Sequence, residues 1–138
     1  MPYEVFWFDD SYTLLYQRYQ PGFDLTDLYE VAETSATMLA TVGHPVDIIV
    51  ELAPKGMPNL NGVLRAAQYV DSIVSPNQRL VVVVRASSFM RSVVELSCKI
   101  APKATEKLYF VDTLEEALAL IQSYRAQLDQ ENRSDAGG

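Results

Sequence analysis

The chain has 138 residues, of which 49% are hydrophobic and 21% are charged, so it predicts one globular domain with a packed core. Eleven basic against eighteen acidic residues leave a net charge of −7, which disfavours binding to nucleic acid or to an anionic membrane. The single cysteine, Cys98, and the single histidine, His44, exclude a disulfide framework, a cysteine zinc site and a histidine-rich metal centre. No apolar run approaches the length of a signal sequence or a membrane span. We therefore expect a cytoplasmic protein without cofactor, metal or integral membrane segment.

The first predicted element is a β-hairpin. Residues 3–8 and 12–17 alternate along the chain and are rich in aromatic and β-branched side chains. The short polar residues Asp9, Asp10 and Ser11 mark the turn, and Pro21-Gly22 ends the second strand. Aromatic residues on both faces of this hairpin either pack under helices or cover a partner, and the partner could be a second copy of the chain.

Helices and strands alternate after residue 24. Three apolar segments, residues 46–52, 80–84 and 107–111, predict strands. Four other stretches carry apolar residues at helical spacing, which predicts helices with one inward face each. The predicted inward residues are Leu28, Ala32, Ala36 and Leu39; Val63, Ala67, Val70 and Val74; Phe89, Val93, Leu96 and Ile100; and Ala117, Ile121, Tyr124 and Leu128.

The resulting order of elements is β-β-α-β-α-β-α-β-α. Strands joined through helices pair in parallel by right-handed crossovers, and the opening hairpin adds an antiparallel edge. We therefore predict an α/β fold with a five-stranded mixed sheet and with helices mostly on one face. The domain is expected to span residues 1–128, and the polar residues 129–138 are expected to form a disordered tail.

With this order of elements, the chain resembles the STAS domain family, whose type member is the sporulation anti-sigma-factor antagonist. It looks most like bacterial proteins of the SpoIIAA-like fold, which share phrases such as residues 44–50 (HPVDIIV) and residues 110–117 (FVDTLEEA). The resemblance extends from Tyr3 to about Tyr124. It implies a SpoIIAA-like topology and a regulatory role through protein–protein contact.

One loop departs from the family pattern. STAS domains that act as phosphoswitches carry a phosphorylatable Ser or Thr in the loop that enters the helix after the third strand. The corresponding residues 53–62 (APKGMPNLNG) contain no hydroxyl group, so the conventional phosphoswitch serine is missing. The resemblance still implies that this loop meets a partner or ligand, and the candidate residues are Lys55, Gly56, Asn59 and Asn61.

The charge reverses sign in the middle of the chain. Residues 1–54 carry a formal charge of −8, whereas residues 55–107 carry +5. Two explanations are open: the charges lie on solvated helix faces, or they form a surface that binds an anion or an acidic partner. The candidate anion site is Arg85, Ser87, Ser88 and Arg91, because the carboxyl end of the central strand and a helix N-terminus meet there.

No catalytic residue is predicted. An enzyme would need His44, Asp47 and Asn59 or Asn61 to converge in one cleft, and their spacing gives no reason to expect this. We therefore predict a non-catalytic regulatory or interaction module whose partner is another protein or a second copy of the chain. The alternative is a carrier or sensor of a small apolar or anionic ligand, and the space between sheet and helices is a candidate pocket for an apolar one.

Overall fold

The computed structural model describes residues 2–52 and 59–137, with side chains up to residue 133. Each predicted helix and strand is present in this part of the chain. In chain order the elements are β1 (Tyr3–Trp7), β2 (Leu14–Tyr19), α1 (Leu25–Ala40), β3 (Val46–Glu51), α2 (Leu60–Ile73), β4 (Gln78–Val84), α3 (Ser88–Ile100), β5 (Leu108–Val111) and α4 (Leu114–Gly137).

The five strands form one mixed sheet in the order β1-β2-β3-β4-β5. The hairpin strands β1 and β2 pair antiparallel, with Tyr3 opposite Tyr19. The pairs β2–β3, β3–β4 and β4–β5 are all parallel. The predicted α/β class, with four parallel strands and one antiparallel edge, is therefore confirmed.

The hairpin turn is held by the carboxylate of Asp9. Its Oδ1 accepts hydrogen bonds from the backbone N–H of Thr13 (2.9 Å) and of Leu14 (3.1 Å), and its Oδ2 accepts one from the Thr13 hydroxyl. These bonds replace backbone partners that the turn leaves open, which is the usual role of aspartate in a turn. The structure has the turn at Asp9-Asp10-Ser11, as the sequence predicts.

The helices divide three to one between the two faces of the sheet. Side chains at alternate positions of β2 and β4, such as Leu14 and Val82, pack against Ala117 and Ile121 of α4. The intervening positions, such as Leu15 and Val81, face the side of α1, α2 and α3. Successive right-handed crossovers place α1, α2 and α3 on one face, and α4 folds back over the other.

The last helix differs from the expectation. The sequence predicts a disordered tail over residues 129–138, but α4 continues to Gly137. Residues 115–136 contain no glycine or proline, so nothing in the chain interrupts the helix there. Residues 129–133 of this helix are polar and exposed, and none of the described helices has the length and apolar character needed to cross a membrane.

Candidate functional site: an apolar cavity between the sheet and three helices

Helices α1, α2 and α3 face the sheet with the same spacing of side chains. On each helix the inward residues stand at positions i, i+3, i+4 and i+7, which form one stripe of an α-helix. These residues are Leu28, Val31, Ala32 and Ser35 on α1; Val63, Ala66, Ala67 and Val70 on α2; and Met90, Val93, Val94 and Ser97 on α3. The sheet opposes them with side chains of one face, from Gln17 on β2 to Leu108 on β5.

These stripes do not fill the space over the sheet. A cavity of about 230 Å³ remains between the sheet and the three helices. Many of its walls are short side chains, among them Ala32, Ala66, Ala67 and Ala104. An apolar cavity of about 150 Å³ in another protein stays dry and binds benzene, so this volume suffices for a small organic molecule.

The cavity wall is apolar and carries few polar groups. None of the described residues that line it has a charged side chain. The polar side chains of the described lining are Gln17, Gln78, Ser97, Thr105 and the phenol of Tyr19. The hydroxyls of Ser97 and Thr105 donate to carbonyls of their own local backbone, at Val93 (3.0 Å) and Ala101 (2.7 Å), so neither needs another partner for its proton.

The two glutamines use their amides differently. Nε2 of Gln17 donates to Oγ of Ser35 at 2.8 Å, and Nε2 of Gln78 donates to the backbone oxygen of Ala104 at 2.9 Å. A backbone carbonyl can only accept, so the second contact fixes which end of the Gln78 amide is the donor. The Ser35 hydroxyl can donate or accept, so the Gln17 amide can reverse without losing its hydrogen bond.

An aromatic pair lines the cavity beside β2. The rings of Tyr19 and Phe23 lie 5.1 Å apart between their centroids, and both side chains are buried. Burial, together with the nearby charge of Asp27, raises the pKa of Tyr19. Tyr19 is therefore a neutral phenol at physiological pH, which keeps this end of the cavity uncharged.

The inward face of α3 corrects the sequence interpretation. The sequence predicts Phe89 and Leu96 as inward residues, but they are 64% and 40% exposed. The face that meets the sheet is shifted by one position and ends in Ser97, a residue that hydropathy alone assigns to the surface. Ser97 can occupy this place because its hydroxyl is satisfied inside the helix.

The predicted partner loop lies only partly within the described residues. Lys55 and Gly56 fall outside them. Asn59 is the N-cap of α2, and its Oδ1 accepts a hydrogen bond from the N–H of Gly62 at 3.2 Å. Asn61 is exposed in the first turn of the same helix. Asn59 therefore has a capping role, and the loop as a partner site stays a prediction.

The residues of the predicted anion site lie at the start of α3. Ser87 is the N-cap, with its Oγ accepting from the N–H of Met90 at 3.2 Å, and Ser88 is the first helical residue. Each arginine faces a carboxylate: Nη1 of Arg85 lies 4.0 Å from Glu51, and Nη2 of Arg91 lies 3.3 Å from Asp112. An anion would have to compete with these carboxylates, and the anion site stays a prediction.

Arg85 also has an unusual backbone. Its φ is 62°, in the left-handed region that non-glycine residues rarely adopt. This conformation turns the chain sharply from the end of β4 into α3, and it leaves the Arg85 side chain 64% exposed. Such backbone strain is common in segments that carry function, so the surface at the carboxyl end of the sheet stays a candidate interaction site.

A cluster that the sequence did not predict lies at the amino end of the sheet. Asp47 is fully buried, and it accepts hydrogen bonds from Nε and Nη2 of Arg79 (2.9 and 2.8 Å), from Nε of Arg125 (2.8 Å) and from the N–H of Leu80 (3.1 Å). Burial alone would raise the pKa of Asp47, but the two guanidinium groups outweigh it and hold the pKa below its usual range. A lone aspartate in the apolar segment 46–52 was the available signal.

The residues of the hypothetical catalytic cleft do not converge. Asp47 binds the two arginines at the amino end of the sheet, whereas Asn59 caps α2, which begins beyond the carboxyl end of β3. Nδ1 of His44 lies 3.1 Å from the backbone oxygen of its neighbour Pro45. The arrangement required for acid–base chemistry by these three residues is therefore not formed.

Comparison of the chain with protein-family models, curated proteins and solved structures finds no match. The resemblance to the SpoIIAA-like fold therefore stays a prediction. The function has to be argued from the geometry of the chain itself.

Proposed function

We propose that this chain is a non-catalytic binding module that takes a small apolar molecule into the cavity between its sheet and helices α1, α2 and α3. The observation that carries the proposal is the cavity itself, of about 230 Å³, walled by apolar side chains of three helices and four strands. Such concave apolar sites with a few placed polar groups are the usual form of small-molecule pockets.

The energetics of an empty cavity support an occupant. Apolar side chains that border an unfilled space lack packing partners on that side, and each missing contact is a loss of dispersion energy. Domains of this size are stable by only about 5–15 kcal/mol in total. A ligand that restores the missing contacts would therefore stabilise the fold substantially, which couples ligand binding to the state of the domain.

The chemistry of the wall supports binding rather than turnover. The polar side chains of the described lining are two amides, two aliphatic hydroxyls and the phenol of Tyr19, and the hydroxyls of Ser97 and Thr105 are bonded to their own helix or turn. A hydroxyl nucleophile needs a base within hydrogen-bond reach, and the described lining supplies no histidine and no carboxylate. We therefore assign the cavity to a carrier or sensor and not to an enzyme.

The proposal can be tested with naphthalene, whose size is close to what the cavity accommodates. We expect the wild type to bind naphthalene, detected by a change in its fluorescence on transfer into an apolar site. Ala67→Leu, on the inward face of α2, should weaken binding at least about tenfold because the added isobutyl group occupies the site. The matched control is Gln68→Leu on the exposed face of the same helix, which should bind as the wild type does.

Two results would contradict this proposal. Absence of naphthalene binding by a folded wild type would remove the function. Equal binding of naphthalene by the wild type and by Ala67→Leu would mean that naphthalene binds elsewhere on the surface. Native mass spectrometry of freshly purified protein adds an independent readout, because a retained small molecule should be present in the wild type and absent from Ala67→Leu.

A second candidate function is a regulatory module that acts through protein contact. Phe89 and Leu60 stand in the first turns of α3 and α2, and they are 64% and 43% exposed. Both turns follow the carboxyl ends of parallel strands, as does Arg85 with its positive φ. Exposed large apolar residues grouped with an arginine suit a contact with another protein or with a second copy of the chain.

The order of elements supports the same candidate. A sheet with an antiparallel edge, four parallel strands and three helices on one face is compatible with the SpoIIAA-like topology that the sequence resemblance implies. A partner protein that co-purifies with the wild type but not with Phe89→Ser would support this function. If sedimentation shows a dimer that Phe89→Ser dissociates, the partner is a second copy.

A further inference from the structure

The strand β1 has one open side. It is the first strand of the sheet, and β2 is its neighbour on the other side. The N–H of Phe8 donates to the backbone oxygen of Leu14, and the N–H of Gln20 donates to that of Pro2, both at 2.8 Å. In an antiparallel pair the bonded positions alternate along each strand, so the even-numbered residues of β1 bond to β2.

The odd-numbered residues of β1 therefore point their backbone groups away from the sheet. These residues are Tyr3, Val5 and Trp7. Among the described residues, no backbone group bonds to their N–H and C=O groups. Such a row of free donors and acceptors is a template for pairing with another strand.

The open edge of β1 lacks the devices that usually protect such an edge. The strand contains no lysine, proline or glycine, and it pairs with β2 in a continuous register. Pro2 precedes it, but position 2 bonds to β2, so the N–H that proline lacks does not belong to the open edge. The one charged residue is Glu4, whose carboxylate is paired with Arg18 at 3.1 Å. The edge is therefore free to accept a strand.

The edge is complementary to a second copy of itself. An antiparallel pair with its two-fold axis at Val5 aligns all three outward residues of each copy, and their N–H and C=O groups then form about six hydrogen bonds. Tyr3 lies opposite Trp7 of the second copy, and Val5 lies opposite Val5. Aromatic and β-branched pairs of this kind stabilise neighbouring strands. Glu4 lies opposite Phe6 of the second copy, so the two Glu4 carboxylates do not face each other.

Aromatic side chains at the hairpin turn add an apolar surface beside this edge. Phe8 is 41% exposed and Tyr12 is 51% exposed. The ring of Tyr12 contacts the ring of Trp7, with 5.5 Å between their centroids. In the two-fold register, Phe8 lies opposite Pro2 of the second copy. Aromatic residues are enriched in protein interfaces, so the same pairing that satisfies the backbone also covers apolar surface.

From these observations we infer that two copies of this chain pair through β1, antiparallel and about a two-fold axis at Val5. The two five-stranded sheets then continue as one. A two-fold contact closes on itself, so the assembly ends at two copies. The opposite edge, β5, has four residues and follows Lys107, so it is shorter and better protected than β1. This inference is independent of the ligand proposed for the cavity.

The test measures the mass of the full chain and the hydrogen exchange of its backbone. Sedimentation velocity at about 100 µM should show a dimer. Amide exchange followed by nuclear magnetic resonance should show protection of the outward N–H groups of Tyr3, Val5 and Trp7. Val5→Pro removes the central outward donor and no bond to β2, so we expect a monomer. In this variant the N–H groups of Tyr3 and Trp7 should exchange at least about tenfold faster.

Controls separate strand pairing from other causes. In Val5→Pro the N–H groups of Glu4 and Phe6 should stay protected, which shows that β1 remains paired with β2. Val5→Ala removes more of the side chain but keeps the N–H, so it should remain a dimer. Phe89→Ser, on α3, should also remain a dimer.

Several outcomes would overturn the inference. A wild type that is monomeric, or dimeric with unprotected outward N–H groups, excludes pairing through β1, and this holds even if Val5→Pro does not fold. Equal dissociation by Val5→Ala and Val5→Pro would mean that side chains hold the copies together. Growth beyond two copies would indicate pairing of β1 with β5. A monomer that binds a synthetic peptide of residues 2–8 at this edge would assign the edge to a strand of another protein.

Discussion

The two faces of the sheet use the same strands and reach different packing. Val82 and Val83 are neighbours on β4, and both are buried, but they point to opposite sides. Val82 packs in a cluster with α4, to which the sheet contributes large side chains such as Tyr16 and Ile49. Val83 faces three helices and the cavity. The cluster around Val82 is packed under one helix, whereas a cavity remains over Val83 under three helices, so the number of helices does not decide how well a core is packed.

The faces also differ in what fastens the helices. On the α4 side, Arg125 reaches from the helix to the buried carboxylate of Asp47 and to the carbonyl of Thr13. On the other side the contacts are neutral or peripheral: Nε2 of Gln17 donates to Ser35 on α1 (2.8 Å), and Oδ1 of Asp71 on α2 accepts from the N–H groups of Lys103 (2.7 Å) and Ala104 (2.9 Å). The α4 face therefore contains a buried ion cluster, whereas the described hydrogen bonds of the other face named here involve no ion pair.

The largest effect should come from the ion cluster. Asp47→Ala leaves the guanidinium groups of Arg79 and Arg125 without their carboxylate, and removal of one partner of a buried ion pair reduces stability by about 3–5 kcal/mol. Urea unfolding measures this change. The control is Asp112→Ala, which removes an exposed carboxylate that pairs with Arg91 and should change stability by at most about 1 kcal/mol. Equal effects of the two substitutions would mean that Asp47 does not close the α4 face.

The same cluster predicts a pH dependence. Because the pKa of Asp47 is lower in the folded state than in the unfolded chain, its contribution to stability is complete above the unfolded value, about pH 4, and is lost as the pH falls from there through the folded pKa. Asp47→Asn should remove this part of the acid dependence. Thermal melts of both proteins between about pH 2 and pH 7 test it, and superimposable losses with falling pH would contradict it.

The next effect is a difference in sign between the faces. Ala117 on α4 is fully buried in the cluster around Val82, so Ala117→Leu adds three carbons to a packed space and should destabilise by about 1–3 kcal/mol. Ala67 on α2 borders the cavity, so Ala67→Leu should stabilise the ligand-free protein by about 1 kcal/mol. Alanine and leucine have similar helix propensities, so the sign reports packing alone. Destabilisation by both, measured by urea unfolding, would mean that the cavity face is already filled.

The sequence predicts the sheet well because its signals are local. Alternation in residues 3–17 and the apolar segment 80–84 specify strands directly, and the helices between them dictate parallel pairing. The inward face of α3 was missed by one position because Phe89 and Leu96 are more hydrophobic than the residues that face the sheet. Hydropathy does not reveal that the Ser97 hydroxyl is satisfied by its own helix.

The candidate site was accessible to prediction only in outline. Ala32 and Ala67 were expected to face inward, and their small size is the one local sign of unfilled space. The cavity itself depends on the summed volumes of side chains from three helices and four strands, which no local pattern contains. The partner of Asp47 is equally remote, because Arg125 lies 78 residues further along the chain.

The smallest predicted effect is also the most direct comparison of the two faces. Val82→Ala and Val83→Ala remove the same two carbons from adjacent positions of one strand, so the losses of transfer free energy and of β-propensity are shared. Val82→Ala also opens a new void in a filled cluster and should destabilise by about 2.5 kcal/mol, whereas Val83→Ala only enlarges an existing cavity and should destabilise by about 1.5 kcal/mol. Urea unfolding with and without saturating naphthalene makes the test sharper. A ligand bound against Val83 makes contacts with the valine side chain that Val83→Ala would remove. The destabilisation by Val83→Ala should therefore increase toward that of Val82→Ala when the ligand is bound. The destabilisation by Val82→Ala should not change. If the ligand changed both values equally, or neither, it would not be bound against Val83, and the two faces would have to differ for some reason other than an open site.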